Sequence, residues 1–199
     1  MIVIDVETSG VDPHKNSLLS IGAVDLGDPT RQFYGECRVW EGAHVDQEAL
    51  LVNGFSEDDA RDGRKQRDRE LLEAFLEWSS GCKEKTLAGH NTSFDRDFME
   101  VTAARYHIDW RFAHRTLDLH SIAYFHASRR GIPIPLKHEH SDLSLDKILQ
   151  YAGLPPEPKP HNGLMGAKLE AELFSRFFND TSIFPEWKSF PVAWKSHFA

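Results

Sequence analysis

The stretch Ile2-Val3-Ile4-Asp5-Val6-Glu7, followed by Thr8-Ser9-Gly10, decides how the rest of the chain is read. Its β-branched residues favour an extended strand. Side chains on a strand alternate between faces, so Asp5 and Glu7 project from one face and Ile4 and Val6 from the other. Two carboxylates near the end of a strand, beside a turn, look like half of a divalent-cation site. Whether the chain holds the other half decides its chemistry.

The 199 residues are enough for one domain with a substantial core. A hydrophobic share of 40% and a charged share of 27% belong to an ordinary globular chain. No apolar run approaches the roughly 20 residues of a membrane span, so a membrane is not an expected partner. The N-terminus shows no pattern of a secretory signal. Cys37 and Cys82 are the only cysteines, expected as free thiols in a reducing cytoplasm, which sets the expected location. With 23 Lys and Arg against 31 Asp and Glu, the net charge is -8. That argues against a protein that grips nucleic acid through a broad basic surface. It does not exclude a nuclease, because cations gathered in an acidic cleft invert its charge toward phosphate.

Working outward from the first strand, Leu18 to Leu26 reads as a second strand and Arg31 to Trp40 as a third, with Gly27-Asp28-Pro29 turning between them. Asp46 to Val52 is a short helix stopped by Asn53-Gly54. Ser56 with Asp59 resembles a capping box. Leu71, Leu72, Phe75, Leu76 and Trp78 form one face of a helix over Glu70 to Trp78. Lys85 to Ala88 is a short buried strand, Asp95 to Tyr106 a helix, Arg115 to Leu119 the last strand, and a helix follows to about His126. Residues 127 to 143 read as a loop. Ser144 caps a helix that runs to Ala152 and ends at Gly153. Pro155, Pro156, Pro158 and Pro160 make a stiff connector, and Leu164 to Phe178 is the final helix. The expected fold is α/β, with a mixed five-stranded central sheet flanked by helices. The expected organisation is a domain over residues 1–179 and an aromatic tail over 180–199. That tail carries Phe184, Trp187, Phe190, Trp194 and Phe198, so it is expected to pack on the domain or a partner.

Two further segments bear on Asp5 and Glu7. His90-Asn91-Thr92-Ser93-Phe94-Asp95 follows a strand and opens a helix; alone, Asp95 there is a stabilising first-turn residue. His161-Asn162-Gly163-Leu164-Met165-Gly166-Ala167 opens the last helix; alone, His161 reads as a structural or exposed histidine. In α/β sheets ligands gather at the carboxyl ends of strands, where Asp5 and Glu7 lie.

Taken together, the segments resemble the DEDDh family of 3′-to-5′ exonucleases, which have a ribonuclease H-like fold. Asp5-Val6-Glu7-Thr8-Ser9-Gly10 matches the first motif, His90-Asn91 with Phe94-Asp95 the second, and His161 with Leu164 and Ala167 the third. The order and spacing agree over roughly residues 1 to 178. The resemblance implies a metal-dependent exonuclease that releases nucleoside 5′-monophosphates from single-stranded DNA or RNA 3′ ends. It implies two Mg²⁺ or Mn²⁺ ions about 3.5–4 Å apart. Asp5 would bridge them, Glu7 would hold the ion nearer the attacking water, and Asp95 the second. His161 would take the proton from that water, a role that suits a histidine at neutral pH. By analogy, backbone at Thr8 and Ser9 would meet the terminal sugar. Phe94 would border a base or pack in the core, and Asn91 would orient backbone near the site or touch the substrate. A homodimer is one oligomeric option that the resemblance brings.

One motif position departs. The family's fourth acidic ligand lies five residues after the histidine, where this chain has Gly166. The loss falls on the ion that Glu7 would hold. Three explanations stand: a change in an otherwise active enzyme, a catalytically silent module that keeps the fold to bind nucleic acid or protein, or substitution by another carboxylate. Glu170, one helical turn further along the same face, is the candidate substitute. The remaining polar clusters read more blandly. His138-x-His140 with Glu139, Asp142 and His126 is either a solvated polar loop or a transition-metal site, although no cysteine or strict ligand spacing supports a metal there. Arg129-Arg130 with Lys137 is either a solvated loop or a guide for a phosphate backbone. Asp118 caps the helix after it.

Overall fold

The computed structural model describes residues 1–195. In chain order the elements are β1 (Ile2–Thr8), β2 (Leu18–Asp25), β3 (Gln32–Glu36), α1 (Gln47–Asn53), α2 (Glu57–Ala60), α3 (Asp68–Ser80), β4 (Leu87–Gly89) and α4 (Thr92–Arg105). Then come β5 (Thr116–Asp118), α5 (Leu119–Arg129), β6 (Leu136–Lys137), β7 (His140–Ser141), α6 (Leu145–Ala152) and α7 (Gly163–Asn179), with single 3₁₀ turns at Pro185–Trp187 and Ala193–Lys195. Five strands form one sheet in the order β3-β2-β1-β4-β5. The β1, β2 and β3 pairs are antiparallel, whereas β4 runs parallel to both β1 and β5. The sheet is therefore mixed, as the sequence predicts, with β1 at its centre.

Alternation along β1 divides the core. Ile2, Ile4 and Val6 face α3 and α4, together with Phe75, Phe98 and Met99. Val3 faces the other way, among residues of α5, α6 and α7. Asp5 and Glu7 share Val3's face, so the strand that begins as core on that side ends as a carboxylate ledge beneath α7. Glycine makes the approach of α7 possible. A Cβ on Gly22 of β2 would lie 2.0 Å from the Gly163 carbonyl carbon, and one on Gly163 would lie 2.7 Å from the Asp5 carbonyl oxygen. Helix and sheet backbones meet there with no room for a side chain.

The tail is tied down by a buried ion pair. Arg176 of α7 donates to Glu172 at 2.8 Å, and its guanidinium also donates to the carbonyls of Ala152, Trp187 and Phe190. Glu172 in turn accepts from the backbone of Ile183 and Phe184. Both charges are paired and hydrogen-bonded, the condition under which burial is tolerated. Phe184, Trp187 and Trp194 are buried in the same cluster as α7. Phe198 lies outside the described residues.

Beyond shifts of one or two residues at element ends, the structure departs from the predicted elements in three places. First, β3 ends at Glu36 rather than at Trp40, because the Arg38 and Val39 amides turn from the sheet to the carbonyls of Gln66 and Ala60. Second, α4 begins at Thr92, not Asp95. Asn91 adopts φ 58°, a left-handed conformation that turns β4 straight into the helix. Third, residues 127–143 are not all loop. They hold the end of α5 and the β6–β7 hairpin, whose turn residues His138 and Glu139 have φ 50° and 67°. Cys37 and Cys82 are buried free thiols. Among the described residues, no helix is long and apolar enough to cross a membrane.

Candidate active site

The parting of β1 and β4 makes the site. Their parallel register covers Ile2↔Leu87 and Val3↔Ala88 only, after which β4 ends at Gly89. Beyond that point β1 presents an unpaired backbone edge. Asp95, in the first turn of α4, fills it: its Oδ1 accepts the Val6 N–H at 2.9 Å. That bond places the Asp95 carboxylate at the residue between Asp5 and Glu7. Thus the three acids the sequence singled out, separated by up to 90 positions, stand at one crevice at the carboxyl ends of β1 and β4.

α7 closes the crevice from above. Asn162 caps it by accepting from the Leu164 and Met165 amides. The positive end of the helix dipole therefore points toward Asp5, which favours anions at that spot. Gly166 lies in this first turn. A Cβ there would sit 1.9 Å from Asp5 Oδ2 and 3.3 Å from Glu157 Oε1. Glu157 comes from the proline connector, which the sequence read only as a spacer. Its side chain is 7% exposed, and its Oε2 lies 3.8 Å from His161 Nδ1, too long for a hydrogen bond. His161 itself is half-buried and holds its backbone amide against the Val52 carbonyl.

The other predicted contacts take more defined places. Glu170 is buried, with Oε2 3.0 Å from where a Cβ on Gly89 would lie, so it faces β4 rather than the mouth of the crevice. Ser9 is fully buried and its backbone is already engaged: N–H to the Ser17 carbonyl, carbonyl to the Asp46 amide. Ser9 holds the turn after β1 rather than presenting free groups to a sugar. Thr8 is likewise buried, with its carbonyl bound by Asn53 Nδ2. Phe94 packs on Phe98 with ring centroids 4.9 Å apart. Asn91 sits exposed at the left-handed N-cap of α4. Asp118 accepts from the His120 and Thr92 amides, joining the caps of α5 and α4.

Beside Glu7 a cavity of about 280 Å³ opens, lined among others by Tyr34, Asn53, Phe55, Lys65 and His161. None of the first four was singled out by sequence, because each comes from a different element and only the fold collects them. A larger cavity of about 700 Å³ lies away from the carboxylates. Three of its arginines pair with neighbouring acids, Arg105 with Asp68, Arg67 with Glu70 and Arg61 with Glu57, and Arg38 donates to the Gly63 and Lys65 carbonyls.

The charge of the crevice is heavily one-sided. Burial pushes Asp5 well above the usual carboxylate range, and Asp95, Glu7 and Glu157 push it further. Glu7 is raised to about 7 by burial and by Glu157. Asp95 is raised to about 8, by burial first, against the lowering effect of its bond to Val6. Burial also raises Glu157 and Glu170. Glu157 Oε1 and Glu170 Oε2 are buried with no hydrogen-bond partner. Buried carboxylates that repel one another and leave oxygens orphaned are what a positive ion would satisfy. Every donor in the set is oxygen, the chemistry of Mg²⁺ and Mn²⁺ rather than of a soft metal. Among the described residues, no three His, Cys, Asp or Glu side chains yet converge as a closed ligand group. The donors fit such cations in chemical type.

Such a sheet, with an acidic crevice at the ends of its central strands, defines a ribonuclease H-like nuclease fold. The RNase_T exonuclease family model matches residues 2–174, and the chain belongs to that family. Ribonuclease T of Escherichia coli (strain K12) is 29% identical in an alignment 194 residues long that covers 89% of this chain and 84% of that protein. Among solved structures, cell-death related nuclease 4 superposes with a TM-score of 0.71 at 15% identity, covering 91% of this chain and 64% of that one. The nuclease domain of 3′hExo, a DEDDh family member bound to rAMP, gives 0.69 at 16%, covering 91% and 92%. Escherichia coli Exonuclease I in complex with a dA16 oligonucleotide gives 0.70 at 16%, and this chain spans only 41% of it. The structural likenesses concern the fold. The DEDDh-type resemblance, and with it the class of 3′-to-5′ exonuclease, is borne out.

Proposed function

We propose that this chain is a divalent-metal-dependent exonuclease that removes nucleotides one at a time from the 3′ end of single-stranded DNA or RNA, releasing nucleoside 5′-monophosphates. The observation that carries this reading is the gathering of Asp5, Glu7 and Asp95 at one crevice, with the Asp95 carboxylate bonded to the Val6 amide between the other two. Two Mg²⁺ or Mn²⁺ ions bound there would supply Lewis-acid polarisation of the phosphate and a water acidic enough to ionise near neutral pH. Asp5, central to the crevice, would contact both ions, with Glu7 and Asp95 holding one each. His161, at the mouth beside Glu7, accepts the proton released as the water oxygen bonds to phosphorus. The P–O3′ bond breaks, and the departing 3′ oxygen regains a proton from solvent. The cavity beside Glu7 receives the terminal nucleoside, with Tyr34 and Phe55 among its walls.

Gly166 contributes no oxygen. With Asp5, Glu7 and Asp95 alone, the ion on Glu7's side would be held weakly and turnover would be slow. The same residue favours a second reading, a silent module that binds 3′ ends without cutting them. Product analysis separates the two. With Mn²⁺ and a single-stranded oligonucleotide, the enzyme yields 5′-mononucleotides, and the Asp5→Asn variant yields none. A chain that binds the oligonucleotide but releases no mononucleotide is the silent module.

A further inference from the structure

The side chain missing at Gly166 leaves a space, and that space is occupied. The point where a Cβ would stand is flanked by Asp5 Oδ2 at 1.9 Å and Glu157 Oε1 at 3.3 Å. An acid at position 166 would enter the region in which Glu157 and Asp5 already face each other. Resting on the metal-site reading above, we propose that Glu157 supplies the fourth carboxylate of the cation site, and that Gly166 is the accommodation that makes room for it. The ligand has moved from the helix to the loop before it.

Three observations support this. Glu157 is 7% exposed at its side chain, and its Oε1 has no hydrogen-bond partner although it is buried. An oxygen left so is costly unless something positive meets it. The loop is also anchored: the Glu157 N–H donates to Asp146 Oδ1 at 3.1 Å, which fixes where the side chain starts. Finally, Glu157 stands on the correct side. Its Oε2 lies 3.8 Å from His161 Nδ1, and His161 lines the same cavity as Glu7. The ion deprived by Gly166 is the one on Glu7's side. Glu170 is placed differently. It faces β4, with Oε2 3.0 Å from where a Cβ on Gly89 would lie.

The test is Mn²⁺ binding to the full-length, metal-free protein, measured by calorimetry and by the electron paramagnetic resonance of free Mn²⁺. Replacing groups that only support a metal ligand costs about 10–100-fold in affinity, so removing a ligand should cost at least about tenfold. Glu157→Gln, and Glu157→Ala as a second variant, should therefore weaken Mn²⁺ binding by about tenfold or more, while Glu170→Gln leaves it within about twofold by the same reasoning. Gly166→Asp alone should not tighten binding, because it crowds Asp5 and Glu157. Gly166→Asp combined with Glu157→Ala should recover affinity lost in Glu157→Ala. Parental binding in both Glu157 variants, or a tighter site in Gly166→Asp alone, overturns the proposal. Asp5→Asn separates the two levels. If Asp5→Asn loses Mn²⁺ but the Glu157 variants do not, only Glu157's role is wrong. If the parent binds no Mn²⁺, the metal-site reading fails and this proposal fails with it.

Discussion

Replacing Glu7 by Gln should make the metal-free protein more stable while ruining its cation site. Glu7 is 7% exposed and held at about 7 against an ordinary 4.5, mainly by burial and then by Glu157. Because the folded value lies above the unfolded one, the native state retains a proton that the unfolded chain has released. The stability linked to Glu7 is therefore complete below about pH 4.5 and is lost as pH rises through about 7. At about 1.4 kcal/mol per pKa unit, the full loss is about 3 kcal/mol. That figure is an upper limit, since neighbouring acids titrate with Glu7 and share the repulsion. Gln cannot ionise and escapes the loss. For a chain of this length each kcal/mol moves Tm by about 2–4 °C, so Glu7→Gln should melt up to about 6–12 °C higher at pH 8 in chelator. Near pH 4.5 the two melts should converge. Adding Mn²⁺ should reverse the order at pH 8, because only the parent gains the full binding energy. The assay is thermal unfolding across pH 4.5–8.5 with chelator or Mn²⁺. A metal-free Glu7→Gln protein that melts no higher than the parent at pH 8, or a gain that is the same at both ends of the pH range, would refute the reasoning.

Other outcomes follow from the same geometry. His161→Ala should lower kcat by about 10²–10⁴, the usual share of a general base, while calorimetric Mn²⁺ affinity stays close to the parent's. Gly22→Ala would put a methyl 2.0 Å from the Gly163 carbonyl carbon, forcing α7 off the sheet. Overpacking of this kind costs about 1–3 kcal/mol, read as a lower denaturation midpoint, and Mn²⁺ binding should weaken with it. Arg176→Met strands Glu172 without its buried partner, a loss of about 3–5 kcal/mol. Chemical denaturation should show it together with increased protease cleavage between Asp180 and Lys195, the segment that Arg176 latches.

Much of the site was legible before any coordinates. Alternation along β1 places Asp5 and Glu7 on one face, and motif order brings Asp95 and His161 toward them. The boundary of α4 was missed because Asn91 enters the left-handed region, where side-chain pattern gives no warning. The backbone bonds of Ser9 to Ser17 and Asp46 are a tertiary feature that its place in the motif does not reveal. Glu157 was missed for a different reason. It lies among prolines, where composition signals a spacer, and nothing local marks the side chain as aimed back into the crevice. An acid four residues before the motif histidine was the one available hint. Arg176 and Glu172 are an i, i+4 pair that sequence would place on a solvated face, whereas the returning tail buries both.

The most direct measurement is degradation of a 5′-labelled single-stranded oligonucleotide by the unmodified chain, with Mg²⁺ or Mn²⁺ and in chelator. The account predicts single-nucleotide shortening from the 3′ end that requires the metal and is lost in Asp5→Asn. Shortening that persists in chelator, internal cleavage, or an intact oligonucleotide in the presence of bound Mn²⁺ would contradict it.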